Sequence, residues 1–459
     1  MSDEDNGVSG SIPGAKLTRR GLLKQSAAVG AGAVAASRLG RAAAAPSPAS
    51  QRYGRPRQGG GTLVMAFTSD DTAKIQPLLD DYSEANNVEI EVRQSPYDPL
   101  YTELNLNLSG GTGAYDVISM DDPWMPQFAG GEFIMNLDEM LAAAGAETAD
   151  FVPELIALGD FPKGTGLRGI PWVGNVQVFA WRTDVLQELG LEVPKTWDEV
   201  LSHAQAITDA KQGEGLYGIG LRGVSGNAAA TSFLPVLRGH GVDIFAADSW
   251  EPQLTTPEAM QAITTHLALA KLTPPGVETV THAINGTNMY EGLTAMSADI
   301  WPDLLLQIFD PELSKVVGKV EVGGEPAQAG VEPLNMTGNW LLGIPEGSEN
   351  AEQALDFILW FTAAEQQKRL LLEQNIPATR ISVLEDPEAV EQLAFLPGLL
   401  AAGRNAFPRP RTNLYPQVEQ IYGQYVAQAI AGQIDGEEAM TKSNDEIRAL
   451  MVREGQLEE

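Results

Sequence analysis

The sequence predicts an α/β protein of two lobes. Three observations carry this. From Thr62 onward, short apolar runs alternate with amphipathic helical stretches, the order that builds βαβ units and a parallel sheet. The middle of the chain then changes character and lays down a second set of strands and helices. Finally, 459 residues that are 43% hydrophobic supply interior enough for two domains.

The elements follow in order. "TLVMAF" (62–67) is a short apolar run of the kind that forms a buried strand. "DDTAKIQPLLDDYSEANN" reads as a helix and "VEIEVRQS" (88–95) as an alternating strand. "YDPLYTELNLNLSGG" reads as a helix ended by glycine, and "YDVISMD" (115–121) as another buried strand. "VPKTWDEVLSHAQAIT" carries a capping box, with Thr196 as N-cap and Glu199 three residues on. Trp197, Val200, Leu201, Ala204 and Ile207 then fall on one helical face. "LYGIGLRG" (216–223) reads as a strand, followed by helices near 230–240 and 256–272. "LTAMSADIW" (293–301) and "NWLLGIP" (339–345) are strand-like. The rest is mostly helical, over 350–374, 386–399, 414–431 and 436–452. No repeat at solenoid or propeller period is present.

The first 61 residues stand apart. "LTRRGLLKQSAAVGAGAVAASRLGRAAAA" (17–45) has a basic start with adjacent Arg19 and Arg20, a weakly apolar Gly/Ala run, and a small-residue cleavage site at Ala42 and Ala44. That is a secretory signal, and its T-R-R-G-L-L-K order resembles the twin-arginine export signal. A membrane span needs ~20 apolar residues, and Arg38 and Arg41 interrupt this run. Residues 1–44 are therefore expected to be the signal, read by the twin-arginine export machinery. Residues 45–61, rich in Pro, Ser, Gly and Arg, are expected to be a flexible linker.

Composition narrows the function. The formal charge is −31; such a surface repels nucleic acid, whose phosphates need Lys and Arg, and disfavours anionic ligands and anionic membranes. A neutral or cationic ligand fits better. The absence of cysteine rules out catalytic thiols, thiolate metal sites and a lipid anchor on a cysteine. No second long apolar run follows the signal. "GEGLYG" (213–218) matches a dinucleotide fingerprint, but a helix precedes it and a strand follows, the reverse of what that fingerprint requires. His203, His240, His266 and His282 form no close pair, and "GVSGN" misses the nucleophile elbow. No metal, cofactor or catalytic residue is expected. An acid pair of a glycosidase stays open among so many carboxylates.

The aromatic residues say more. Trp124, Trp172, Trp301 and Trp340 each sit at a strand end or beside one, with Tyr97, Tyr101 and Tyr415 in comparable contexts. Ligands of open α/β sheets collect at strand ends. Asp121, Asp122, Asn175, Asp299 and Asn339 neighbour these rings. Flat rings beside carboxylates and amides suit a sugar, which offers C–H faces to stack and hydroxyls to bond. Trp360, in "DFILWF", is expected to be a core anchor instead.

Several stretches together resemble the extracellular solute-binding protein family 1 of ABC importers, the group that includes maltose-binding and other sugar-binding proteins. They are "YDVISMDDPWMPQFAGGEFIMNLDEM", "GIPWVGNVQVFAWRTDVLQELGLEVPKTWDEVLSHAQAIT", "MYEGLTAMSADIWPDL", "GNWLLGIPEGSENAEQALDFILWFTAAEQQKRLLLEQNIPATR" and "RPRTNLYPQVEQIYGQYVAQAIAGQIDGEEAM". They span about positions 62 to 455. The resemblance implies a periplasmic-binding-protein fold whose two lobes flank a ligand cleft. Lobe one would comprise 62–173 and 341–385, and lobe two 174–340 and 386–459. Three hinge crossings would fall near Pro171–Asn175, Asn339–Gly343 and Ile381–Asp386.

The resemblance also implies an exported, non-enzymatic and monomeric protein that delivers a sugar to ABC permease subunits. Asp122 and Asn175 match polar ligand positions, Trp301 an aromatic platform and Tyr415 a second one. Arg409, which opens "RPRTNLY", joins the expected set with Trp124, Trp172, Asp299, Asn339 and Trp340. Asp122 and Trp301 are expected to face each other across the cleft. "AWRTD" and "ADIW" depart from the family's usual wording, and the family's cysteine-bearing lipoprotein signal is absent. A secreted carbohydrate-active enzyme (glycosidase or lyase), or a binder of polyols, glycerol phosphodiesters or polyamines, remains an alternative.

Overall fold

A computed structural model describes residues 61–247 and 249–458, apart from the side chains of Tyr97 and Asp98. The stretch expected to be the export signal, and all but Gly61 of the expected linker, lie outside the described residues. Among the described residues ten strands form a five-stranded sheet, a three-stranded sheet and a short pair made of the eighth and tenth strands. In chain order they are β1 (Thr62–Thr68), β2 (Glu89–Ser95), β3 (Val117–Asp121), β4 (Ile170–Val173), β5 (Val178–Arg182), β6 (Met296–Ile300), β7 (Val320–Gly323), β8 (Asn335–Met336), β9 (Trp340–Gly343) and β10 (Ala406–Phe407).

The first sheet runs β2-β1-β3-β9-β4. β1 is parallel to β2 and β3, whereas β9 lies antiparallel to β3 and β4. Alternation along β1 splits its side chains between two cores. Leu63, Met65 and Phe67 join the helix Ser69–Asn86 on one face, and Ala66 joins Leu100, Leu104 and Leu108 of the helix Tyr97–Ser109 on the other. The second sheet, β6-β5-β7, is antiparallel. Phe179 and Trp181 of β5 face a large helical core, and Val178 and Ala180 face a smaller one. A purely parallel sheet is therefore not what forms in either lobe: β9 returns late in the chain to pair β3 and β4, a long-range pairing that no local pattern encodes.

The capping box forms as read. Thr196 Oγ1 accepts from the Glu199 amide and Glu199 Oε2 accepts from the Thr196 amide, both at 3.2 Å. Three expected elements differ. Residues 216–223 form no strand and make only isolated bridges, Tyr217 to Thr294 just before β6 and Gly220 to Ser297 within it. The stretch 350–374 is two helices, Ala351–Phe361 and Ala364–Gln374, and at the break the Thr362 carbonyl accepts from Arg380 Nε. The stretch 386–399 likewise divides into Pro387–Gln392 and Leu396–Gly403.

Three chain segments lie side by side between the sheets. The Gly174 amide donates to Pro377 O (2.8 Å), the Gly338 amide to Asn175 O (2.9 Å), and Val176 bridges Thr337. Gly174 has no room for a side chain, since a Cβ there would stand 2.2 Å from Ala378 O. These crossings place the ends of β3 and β9 opposite the end of β6.

Candidate functional site

A cavity of about 760 Å³ opens there. The carboxyl end of β3 leads directly into Pro123 and Trp124, and β9 begins at Trp340, paired in register with Asp121. This pairing brings three rings together. Tyr101 lies 5.3 Å from Trp124, and Trp124 lies 5.4 Å edge-to-face from Trp340. All three line the cavity. Trp301, at the end of β6, lines it from the other sheet; Pro302 starts a helix immediately after it. The Trp301 ring rests on Gly338, where a Cβ would approach Cζ3 to 2.9 Å. Its Nε1 donates to Asp299 Oδ1 at 3.2 Å.

Two buried ion pairs stiffen the walls. Arg222 Nη2 donates to Asp299 Oδ1 at 2.6 Å, and its Nε donates to Oδ2. Gln177 Nε2 adds a third donor at 2.6 Å. Burial pushes the Asp299 carboxyl up, but Arg222 outweighs it and holds the group below its ordinary value. Arg409 Nη2 meets both oxygens of Asp121. At the rim, His282 Nε2 stands 2.8 Å from Asp303 Oδ2.

Six of the ten expected residues line the cavity: Trp124, Asn175, Trp301, Trp340, Arg409 and Tyr415. Asp122, Trp172, Asp299 and Asn339 do not. Asp122 is 2% exposed, and its Oδ2 accepts from Thr337 Oγ1 (2.8 Å) and the Asn339 amide (3.1 Å). It ties β3 to a crossing segment. Burial pushes its carboxyl up to about 6, against Arg409. Asp121, one residue earlier, is the carboxylate that reaches the cavity, so the expected pairing of Asp122 with Trp301 across the cleft is corrected. Trp172 is fully buried between Phe67 and Phe361, with Nε1 donating to Ser119 Oγ at 3.0 Å. Asp299 stands behind Arg222, and Asn339 is fully buried beside Asp122.

Sequence reading missed Arg222, Asn227, Thr231, His282, Asp303, Glu419 and Gln420, all of which line the cavity. One signal was present. An arginine in the apolar "GIGLRG" and an aspartate in the apolar "AMSADIW" each require a buried partner of opposite charge.

The chain is similar to proteins of known kind. The family described as bacterial extracellular solute-binding protein matches residues 67–368. A probable amino-acid ABC transporter periplasmic-binding protein of Sinorhizobium fredii is 25% identical over 425 residues, covering 88% of this chain and 92% of that one. An ABC transporter solute-binding protein of Agrobacterium radiobacter K84, solved with ribitol, aligns with a TM-score of 0.75 at 25% identity, covering 86% of this chain and 100% of that one. The maltose-bound MalE3 of T. maritima aligns with a TM-score of 0.73 at 25% identity, covering 85% and 100%.

Proposed function

The chain belongs to the bacterial extracellular solute-binding protein family, and from that premise we propose that it captures a sugar or polyol between its lobes for an ABC importer. The observation that carries this reading is the cavity itself. Tyr101, Trp124 and Trp340 form a ring wall, Trp301 faces in from the other sheet, and Asp121, Asn175 and Arg409 supply hydrogen-bonding groups. Stacking and hydroxyl recognition are what such a wall offers. The ribitol and maltose held by the two similar structures support the same class.

In this account lobe one is 62–173 with 341–385, and lobe two is 174–340 with 386–459. A ligand that touches both lobes favours the closed arrangement, because only differential contact shifts such an equilibrium. Permease subunits then accept the closed, loaded form. The protein performs no chemistry on its ligand and acts as a monomer in the periplasm or outside the cell. Incubation with oligosaccharides should yield no product; steady turnover would replace this reading with a carbohydrate-active enzyme.

Export is assigned to the twin-arginine route through Arg19 and Arg20. Replacing both with Lys should leave precursor in the cytoplasm. Normal export of that variant would point to another route.

A further inference from the structure

The charges of the cavity narrow the ligand further. Building on the sugar or polyol reading above, we propose that the solute carries an amine, as an aminoalditol or amino sugar does, and that its ammonium group is held at Glu419.

The basic groups of the wall each already face a carboxylate. Arg222 is bound to Asp299, Arg409 to both oxygens of Asp121, and His282 to Asp303. A ligand carboxylate or phosphate at either arginine would stand beside the carboxylate that the arginine already holds, which opposes it. Glu419 differs. Its side chain accepts from the Tyr415 hydroxyl at 3.2 Å, and among the described residues no Lys, Arg or His stands within ion-pair distance of it. It lines the cavity one helical turn beyond Tyr415, on the helix Tyr415–Ile430.

The total points the same way. Asp121, Asp303 and Glu419 line the cavity with Arg222, Arg409 and His282, and Asp299 stands directly behind Arg222, so four carboxylates face three bases even with His282 counted as charged. Negative charge is left over. The half-buried Trp301 lines the same cavity, and an aromatic face attracts a cation rather than an anion. The −31 charge of the whole chain raises the local concentration of cationic solutes. An ammonium group bonded to Glu419, with hydroxyls left for Asp121 and Asn175, satisfies the unpaired carboxylate without breaking any pair. A hydroxyl in the same place leaves the carboxylate's charge uncompensated.

The test is calorimetric titration of the purified protein with matched pairs: glucamine against glucitol, glucosamine against glucose, and chitosan disaccharide against cellobiose. Putrescine serves as an amine without hydroxyls. The amine member of at least one pair should bind about tenfold tighter than its neutral partner, or more, as a charge-assisted bond allows. Putrescine should bind more weakly than that amine. Glu419→Gln should bring the amine member down to its partner's affinity while the melting temperature stays within a few degrees of the parent. Neutral members binding as well as amines would overturn this inference and leave the sugar or polyol reading standing. Amine preference that survives Glu419→Gln would overturn the assignment to Glu419. Putrescine binding as tightly as the amino sugars would make the ligand a polyamine, and no binding by any member would overturn both readings.

Discussion

Arg409 Nη2 lies 3.1 and 3.2 Å from the two carboxylate oxygens of Asp121, a residue 288 positions earlier in the chain. Asp121 ends β3 of the first sheet. Arg409 follows a stretch whose carbonyls at Phe407 and Pro408 accept from Arg238, on the helix Asn227–Gly239 that packs behind the second sheet. The pair therefore joins the two sides of the cavity. Both side chains are buried, so removing one leaves the other a charge without that partner. Asp121→Ala should cost about 3 kcal/mol of stability, and the double variant with Arg409→Ala should cost less than the sum of the singles. Urea denaturation of the three variants checks this; strictly additive losses would mean that the two charges do not interact.

Trp301 and Trp172 looked alike in sequence, and the structure separates them. Trp301→Ala should weaken ligand binding by about 2 to 4 kcal/mol, as loss of an aromatic anchor does, with little change in unfolding. Trp172→Ala empties a core position between Phe67 and Phe361 and should lower stability by about 3 to 5 kcal/mol. Affinity and melting temperature measured on both variants decide the matter. Equal stability losses would place Trp301 in the core as well.

Two glycines give a paired steric test. Gly174→Ala sets a Cβ 2.2 Å from the Ala378 carbonyl oxygen, where backbone must move. About 1 to 3 kcal/mol of destabilisation is expected. Gly338→Ala meets the Trp301 ring at 2.9 Å instead. A ring can swing away, so its main effect should fall on affinity. The reverse distribution, read from melting curves and titrations, would contradict the roles given to these two crossings.

Local patterns were legible. Buried strands at 62–67 and 115–121 and the capping box at Thr196 depend on neighbours in sequence, and they stand where the sequence put them. β5 and β7 were not read, because their pairing partners are distant and their runs short. The same limit explains the site. Trp124, Trp301 and Trp340 announce themselves at strand ends. Whether Asp121 or its neighbour Asp122 faces the cavity depends on how β3 turns into Pro123, which periodicity does not resolve. Arg222 and Asp299 meet across 77 positions, a pairing visible only once the sheet is formed.

Two buried groups should make stability depend on pH. His266 is fully buried against Phe233, and burial lowers it from 6.5 to about 4, with Asp299 pulling weakly upward. A base with a depressed folded value contributes stability above its unfolded value and loses it as pH falls. Between pH 6.5 and about 4 the loss should reach roughly 3 kcal/mol. Glu325 is the opposite case. Burial, with Asp299 adding to it, raises its carboxyl well above the ordinary value. Its contribution is complete below the usual carboxylate range and is lost as pH rises through the raised value. His266→Leu should flatten the acid limb of a plot of melting temperature against pH, and Glu325→Gln the alkaline limb. Limbs unchanged from the parent would show that other groups govern both.

Calorimetric titration of the purified protein with a panel of alditols, monosaccharides, oligosaccharides and their amino derivatives tests the central claim most directly. At least one should bind in a one-to-one complex that is lost in Trp301→Ala and leaves the ligand chemically unchanged. A folded protein that binds none of them, or binding that Trp301→Ala leaves intact, would contradict the assignment of this cavity to a polyhydroxylated solute.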